Sequence, residues 1–405
     1  MAEYRRTRRR WLATCAGTSL GMAALAGCSS NTDGDAPTAE NDPGVVSGDG
    51  SYGSWPMERY NARNRLSVPH SGLDGEPEVL WTVEFDSPGD ILPPVVYEDT
   101  AYVSESRGAY TAIDLEDSGI VWEYESDGWV TPAVSETAVF VSGDGIEALN
   151  HKNADVLWTT DHDDSVETLR IYDDIVYAGI GNHVVAIDSK GDEQLEFETA
   201  ATIQSLAIDE KYIYVRAQPN EDKNDFIIAG YDRKSGKRRW DHEISHAEQW
   251  SDDRLTKTFP VIDKNVYTVT NDAIISIDSD NGNRQKVTEL DQSSWTRPAI
   301  YDNTAYLERG AMAYDLETGE PPNEWDPEVS SDTPLVVADG TGYTIDSAGV
   351  TDPHKLIAVD PKSGEMIWEK RASEQLGFHI PIVLNEMIVI MQDSVQDSHK
   401  LVGYG

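Results

Sequence analysis

The feature that most constrains this chain is a short motif that recurs along it. At residues 355–368 an apolar run, Leu356-Ile357-Ala358-Val359, ends on Asp360, turns through Pro361-Lys362-Ser363-Gly364 and resumes as Met366-Ile367-Trp368. The run reads as a buried strand. Asp-Pro-Lys-Ser-Gly is turn chemistry, with glycine available for the positive φ that closes a hairpin. The same grammar returns with turn residues Asp114, Asn150, Asp188, Asp232, Asp278, Asp315 and Asp360, spaced 36 to 46 residues apart. Each turn leads to Trp122, Trp158, Phe197, Trp240, Val287, Trp325 or Trp368 respectively. Ahead of each turn lie two more short apolar runs, the first often opened by proline (Pro94, Pro132, Pro260, Pro298, Pro334, Pro381).

Four short strands at a period near 40 residues are the signature of a propeller blade. Seven units carry four strands each. The last, from Pro381 to Tyr404, has three, and a Trp-containing strand at 80–85 has no partner beside it in sequence. The chain is therefore expected to form an all-β, eight-bladed propeller of four-stranded antiparallel blades. The N-terminal Trp strand is expected to complete the last blade, which removes the exposed edges of an open array. Seven blades would follow if the weaker third or fourth unit merged with a neighbour. The propeller occupies residues 52–405, preceded by a signal at 1–27 and a tether at 28–51. The segment Trp55-Pro56-Met57-Glu58-Arg59-Tyr60 fits no blade and is expected to cap one end of the body.

The first residues read as an address. Thr7-Arg8-Arg9-Arg10-Trp11-Leu12 resembles a twin-arginine export signal, with Arg8 and Arg9 as the paired cations. An apolar stretch follows, shorter than the roughly 20 residues of a membrane span. It ends in Leu25-Ala26-Gly27-Cys28, which matches a lipobox and implies lipidation at Cys28. The expected location is the outer face of the cytoplasmic membrane, held by that lipid. The only other cysteine, Cys15, lies inside the leader, so no thiol remains for a disulfide or a thiolate metal site. With 73 acidic against 32 basic residues, a net charge of −41, the chain is similar to proteins of salt-loving archaea. A uniform acidic coat keeps a protein soluble where salt screens self-repulsion to about 3 Å. No basic patch is expected outside the leader, which argues against nucleic acid as a partner.

The pattern Ala-x-Asp-x-x-Ser/Thr-Gly-x-x-x-Trp, nearly whole at 358–368 and 230–240, resembles the repeat of the pyrroloquinoline-quinone-type, or quinoprotein, propellers. The resemblance spans residues 78–405, and Trp55-Pro56-Met57 is similar to the corresponding segment of halophilic archaeal members. It implies that the repeated tryptophans pack between blades. Family dehydrogenases add adjacent cysteines and often a haem-attachment motif; this chain has neither.

No catalytic, cofactor-binding or metal-ligating residue stands out. His242 and His246 would share a face only on a helix, and their place after a Trp strand favours a loop. His162 among Asp161, Asp163 and Asp164 matches an acidic surface loop as well as a cation site. More informative are residues just before each blade's first strand, at one mouth of the channel: Trp129, Lys257, Trp295, Arg297, Phe378 and His379. Aromatics with cations on an acidic protein suit a recognition rim for an anionic or peptide ligand; the alternative is that the aromatics plug the mouth. The expected function is a lipid-anchored, cofactor-free scaffold for extracytoplasmic or membrane proteins. The competing reading is a dehydrogenase dependent on pyrroloquinoline quinone and calcium.

Overall fold

The computed structural model describes residues 50–85, 89–106, 108–219, 225–244, 258–270, 272–290, 298–307, 312–326, 333–346, 354–372, 379–393 and 399–405. Among these residues every regular element is a β-strand, and the strands form eight sheets. Numbered along the chain, the blades fall at 95–125, 133–159, 166–198, 202–244, 261–289, 299–315, 336–371 and 382–404. The third and fourth units stay separate, so the count is eight and not seven. Val79–Phe85 lies antiparallel beside His399–Tyr404, with Thr82 opposite Val402, as the fourth strand of blade 8.

Each blade is a meander, so its first-to-second and third-to-fourth turns share one face of the ring. Second-to-third loops and the connections between blades share the other. The turn-face hairpins are tight. Glu98-Asp99, Asp173-Asp174 and Asp302-Asn303 all have positive φ, the conformation a two-residue type I′ turn requires. The third-to-fourth turns are organised by their Asp. Asp232 Oδ1 accepts hydrogen bonds from Ser235 N (3.0 Å) and Oγ (2.7 Å), and Asp315 Oδ1 does the same with Thr318 (2.7 and 3.0 Å). These bonds favour the ionised form and lower both carboxyl pKa values.

The repeated tryptophan joins each blade to the next. Trp122 Nε1 donates to His151 O (2.7 Å), Trp158 Nε1 to Ser189 O (3.1 Å) and Trp240 Nε1 to Ser279 O (2.9 Å), each carbonyl belonging to the following blade's turn. Each indole also packs on an aromatic of its own blade, as in Tyr102–Trp122 at 5.7 Å and Tyr343–Trp368 at 6.0 Å. The small residue of the motif lies across from it. A Cβ on Gly230 would stand 2.5 Å from Trp240 Cε2, and Ala112, Ala148 and Ala358 occupy the equivalent place opposite their tryptophans.

Three expectations need correcting. Blade 6 has three strands among the described residues. Its fourth is replaced by a turn through Pro321-Pro322, two residues without an N–H to give the ladder, although Trp325 still packs on Tyr306 at 5.6 Å. In blade 3 the register position opposite Ala186 belongs to Leu195, not Phe197. Phe197, two residues on, takes over the packing against blade 4, 4.7 Å from Tyr231. Finally, the pairing is not wholly antiparallel: Ser67–Val68 adds to blade 7 in parallel, Val68 opposite Ala338.

Candidate functional site

The parallel strand belongs to a segment, residues 52–73, that bonds to every blade. Tyr52 O accepts from Asn385 N of blade 8 at 2.8 Å, and Trp55 exchanges both backbone bonds with Val96 of blade 1. Pro56 O accepts from Val134 N of blade 2 (2.8 Å), Ala62 O from Ile208 N of blade 4 (2.7 Å), Arg63 O from Val261 N of blade 5 (2.9 Å) and Leu66 O from Val337 N of blade 7 (2.8 Å). Blades 3 and 6 are reached through side chains. Arg170 of blade 3 donates to Glu58 Oε2 (2.9 Å) and Asn64 Oδ1 (3.1 Å), and Arg59 donates to Pro298 O of blade 6 (2.6 Å). The backbone partners in blades 2, 4 and 8 (Val134, Ile208 and Asn385) sit at or just past the ends of first strands, so the segment stoppers the channel on the turn face, as a cap at one end was expected to do, while Arg59 reaches deeper to Pro298, ahead of its blade's first strand.

The stopper has no repeat or periodicity because its shape is set by its partners. Arg59 and Tyr60 both hold positive φ (60° and 76°), at a cost of about 1–3 kcal/mol each. That cost is offset by burial and bonding. Trp55, Tyr60 and Met57 are fully buried, and Asn64 Nδ2 donates to Leu206 O (3.0 Å) and Phe259 O (3.1 Å) of blades 4 and 5. His70 clasps the segment's two ends, its Nε2 2.8 Å from Ser54 O with Tyr60 edge-on at 5.8 Å. Burial lowers the pKa of His70, against a smaller upward pull from that hydrogen bond.

The fold family raises the question of a quinone and its metal. A tricarboxylate quinone needs cations near the axis and a hard metal held by oxygen ligands. Arg59 and Arg170 lie at the axis, 2% and 1% exposed, but they are committed to the stopper. No three His, Cys, Asp or Glu side chains among the described residues are grouped to hold an ion. The described residues do not fit that group. His242 Nε2 instead lies 2.6 Å from Gly282 O, a bond between blades; His246 lies outside the described residues.

On the loop face, Trp129 is 41% exposed, at the connection between blades 1 and 2. Part of its indole is therefore open to solvent. Its backbone is held by Val130 N, which donates to Tyr110 Oη (3.4 Å). His379 is half-buried before blade 8. Lys257, Trp295, Arg297 and Phe378 lie outside the described residues, as do Arg8, Arg9 and Cys28.

One site escaped the composition-level reading. Arg233-Lys234-Ser235-Gly236-Lys237-Arg238-Arg239, the third-to-fourth turn of blade 4, has five cations in seven residues. This overturns the expectation of no basic patch outside the leader. Arg233 is structural: its guanidinium lies 4.7 Å over the Tyr172 ring and donates to Glu210 O and Tyr177 Oη. Lys234, Lys237, Arg238 and Arg239 are exposed. The signal was present as a local run but was averaged away in the net charge.

The geometry defines a class: an eight-bladed propeller whose blades are tied by tryptophans in the quinoprotein manner. Residues 72–322, more than half of the chain, match the family profile described as outer membrane protein assembly factor BamB. The chain belongs to that family. Among solved structures it resembles BamB from Moraxella catarrhalis, with 15% identity over 81% of this chain and 99% of that one and a TM-score of 0.58. A europium-containing methanol dehydrogenase aligns at 13% identity over 90% and 98% of the two chains, TM-score 0.64. A quinohemoprotein alcohol dehydrogenase from Comamonas testosteroni aligns at 12% identity over 87% and 80%, TM-score 0.65. No curated protein matches the sequence. Identities this low speak to the fold alone.

Proposed function

We propose that this chain is a lipid-anchored, extracytoplasmic scaffold that presents its loop face to other exported or membrane proteins. The observation that carries the reading is the stopper. With one mouth sealed by a segment bonded to all eight blades, and the axial arginines spent on it, the ring is a rigid stand with one face left for recognition. The exposed Trp129 on that face suits a hot-spot anchor, a large rigid side chain that costs little entropy to immobilise. Membership of a family described as an assembly factor supports a protein partner over a small substrate. Export by Arg8 and Arg9, attachment through Cys28 and the acidic coat complete the proposal.

Photo-cross-linking from the exposed Asp127, which leaves Trp129 in place, in intact membranes tests it. Protein adducts are expected there, and they should disappear when Arg297→Ala is added. Capture unchanged in the Trp129→Ala, Arg297→Ala double variant removes the rim. Dye-linked alcohol or sugar oxidation after adding pyrroloquinoline quinone and calcium would replace the scaffold with the dehydrogenase reading. For the address, Cys28→Ser should release the chain from membranes, and Arg8→Lys with Arg9→Lys should hold it inside the cell.

A further inference from the structure

The basic turn of blade 4 lies on the same face as the end of the tether. Ser51 N and Tyr52 N both donate to the Asp99 carboxylate of blade 1, at 2.8 and 2.9 Å, so the chain comes in from the membrane side onto the turn face. Charge on that face is uneven. The turns of blade 1 carry Glu98, Asp99, Asp114, Glu116 and Asp117 with no cation. Those of blade 4 carry Asp209, Glu210 and Asp232 against Lys211, Arg233, Lys234, Lys237, Arg238 and Arg239. The turns of the neighbouring blade 5 carry Asp263, Asp278 and Asp280 against Lys264, and exposed Arg284 and Lys286 follow at the start of its fourth strand.

Internal partners account for part of this. Lys211 pairs with Asp280 (3.4 Å), Arg238 with Asp241 (3.7 Å) and Lys286 with Glu289. Lys234, Lys237, Arg239 and Arg284 make no ion pair among the described residues, on a chain whose net charge is −41. Such pairs at an exposed surface are weak in any case, so their cations stay open to exchange.

From this we infer that the corner formed by Lys234, Lys237, Arg239 and Arg284 docks on the phosphate headgroups of an anionic bilayer. The inference rests on the lipid-anchor reading above and deepens it. Two observations favour lipid over another anion: charge complementarity, and a tether that ends on the same face. About 20 residues separate Cys28 from the body, a reach of roughly 70 Å when extended and about 25 Å on average. The blade 4 corner can therefore touch the bilayer while the acidic blade 1 edge tilts away. At physiological ionic strength each cation near an anionic surface contributes about fivefold in partition, and in concentrated salt only cations in direct contact with a phosphate add to it. In this pose the loop face, with Trp129, points away from the lipid toward partners.

The test uses the full lipidated chain on vesicles of phosphatidylglycerol or phosphatidylcholine, with a fluorophore at Gln285→Cys or, on the loop face, at Asp161→Cys, and a quencher on the lipid. Quenching at 285 should be several-fold stronger on phosphatidylglycerol than on phosphatidylcholine, and stronger than at 161 on either. Lys237→Glu with Arg239→Glu should bring 285 down to the level of 161 while the protein still floats with the vesicles. Equal quenching at both positions, or quenching at 285 untouched by the reversal, overturns the inference. Flotation reports the anchor separately: a chain that floats equally well as Cys28→Ser sinks the anchor reading without deciding the corner.

Discussion

The two faces of the ring are built on different rules. On the turn face, connections are short and stereotyped: 98–99, 173–174 and 302–303 are two-residue turns with the same positive φ, and residues 52–73 tie the first strands together beneath them. On the loop face, connections between blades run from 199–201, which barely separates blades 3 and 4, to 245–260, between blades 4 and 5. Uniform length reflects a single packing solution repeated under constraint. Variable length marks the places where sequence was not needed to hold the fold, and such surfaces are where recognition accumulates. One face is bound by structure, and the other is available for function.

The largest expected effect comes from breaking the bound face at its axis. Arg170→Met removes the donors to Glu58 and Asn64 at once and should lower unfolding free energy by about 2–4 kcal/mol, discounted because Glu58 is one-third exposed. Asn64→Ala orphans two buried carbonyls from blades 4 and 5 and should cost about 2–3 kcal/mol. Denaturant titration at fixed salt measures both. A loss below about 0.5 kcal/mol in each would mean that the stopper merely rests on the blades.

A smaller effect separates two tryptophans of equal repeat position. Trp122 Nε1 donates to His151 O, whereas Trp81 Nε1 is buried with no hydrogen-bond partner among the described residues. Replacing each by Phe deletes similar packing, but only Trp122→Phe also strands a carbonyl. It should be the more destabilising by roughly 1 kcal/mol. Equal losses would assign the stitch between blades to ring packing alone.

Much of this was legible in the sequence, and the failures have physical causes. Blades could be read because a turn Asp, a glycine and a Trp recur at fixed offsets, each with a local mechanism. The stopper's path could not, since its bonds go to residues as distant as Pro298 and Val337 and leave no periodic trace. Leu195 was passed over for Phe197 because the blade 3 turn is one residue shorter than its counterparts, Gly191 N bonding Asp188 O three residues back where Gly236 N bonds Asp232 O four back, which moves the position opposite Ala186 one residue earlier. Pro321-Pro322 could have warned that blade 6 lacks its outer ladder. For the candidate site, Trp129 was visible as an aromatic before a first strand; its exposure was not, because burial depends on neighbours from other blades.

Acid should act on two histidines, His70 in the stopper and His151 in a blade 2 turn, before it acts on the turn carboxylates. The pKa of His70 is lowered by desolvation, and that of His151 likewise, so the unfolded chain binds these protons more readily than the folded one. Their stabilisation is complete above the ordinary value of 6.5 and is lost as pH falls from there through the depressed folded values. Asp232 and Asp315, also depressed, add a second loss that begins only near 3.8. In His70→Gln the decline that sets in below the ordinary value of 6.5 should shrink while the carboxylate step remains. A decline of unchanged size would remove His70 as its source.

The least structural change should be the most functional one. Trp129→Ala cuts away an indole already 41% exposed, and the backbone bond from Val130 to Tyr110 Oη does not depend on it. Stability should stay within about 0.5 kcal/mol of the parent chain. Partner capture, in contrast, should fall by about tenfold or more, the range of a truncated aromatic hot spot. The pair of measurements turns the comparison of faces into a numerical test. Arg170→Met should weaken the fold and, wherever the protein is folded, leave capture intact, and Trp129→Ala should do the reverse. If Trp129→Ala instead lowers stability by more than about 2 kcal/mol, the indole is part of the wall and the loop face has no anchor at that position.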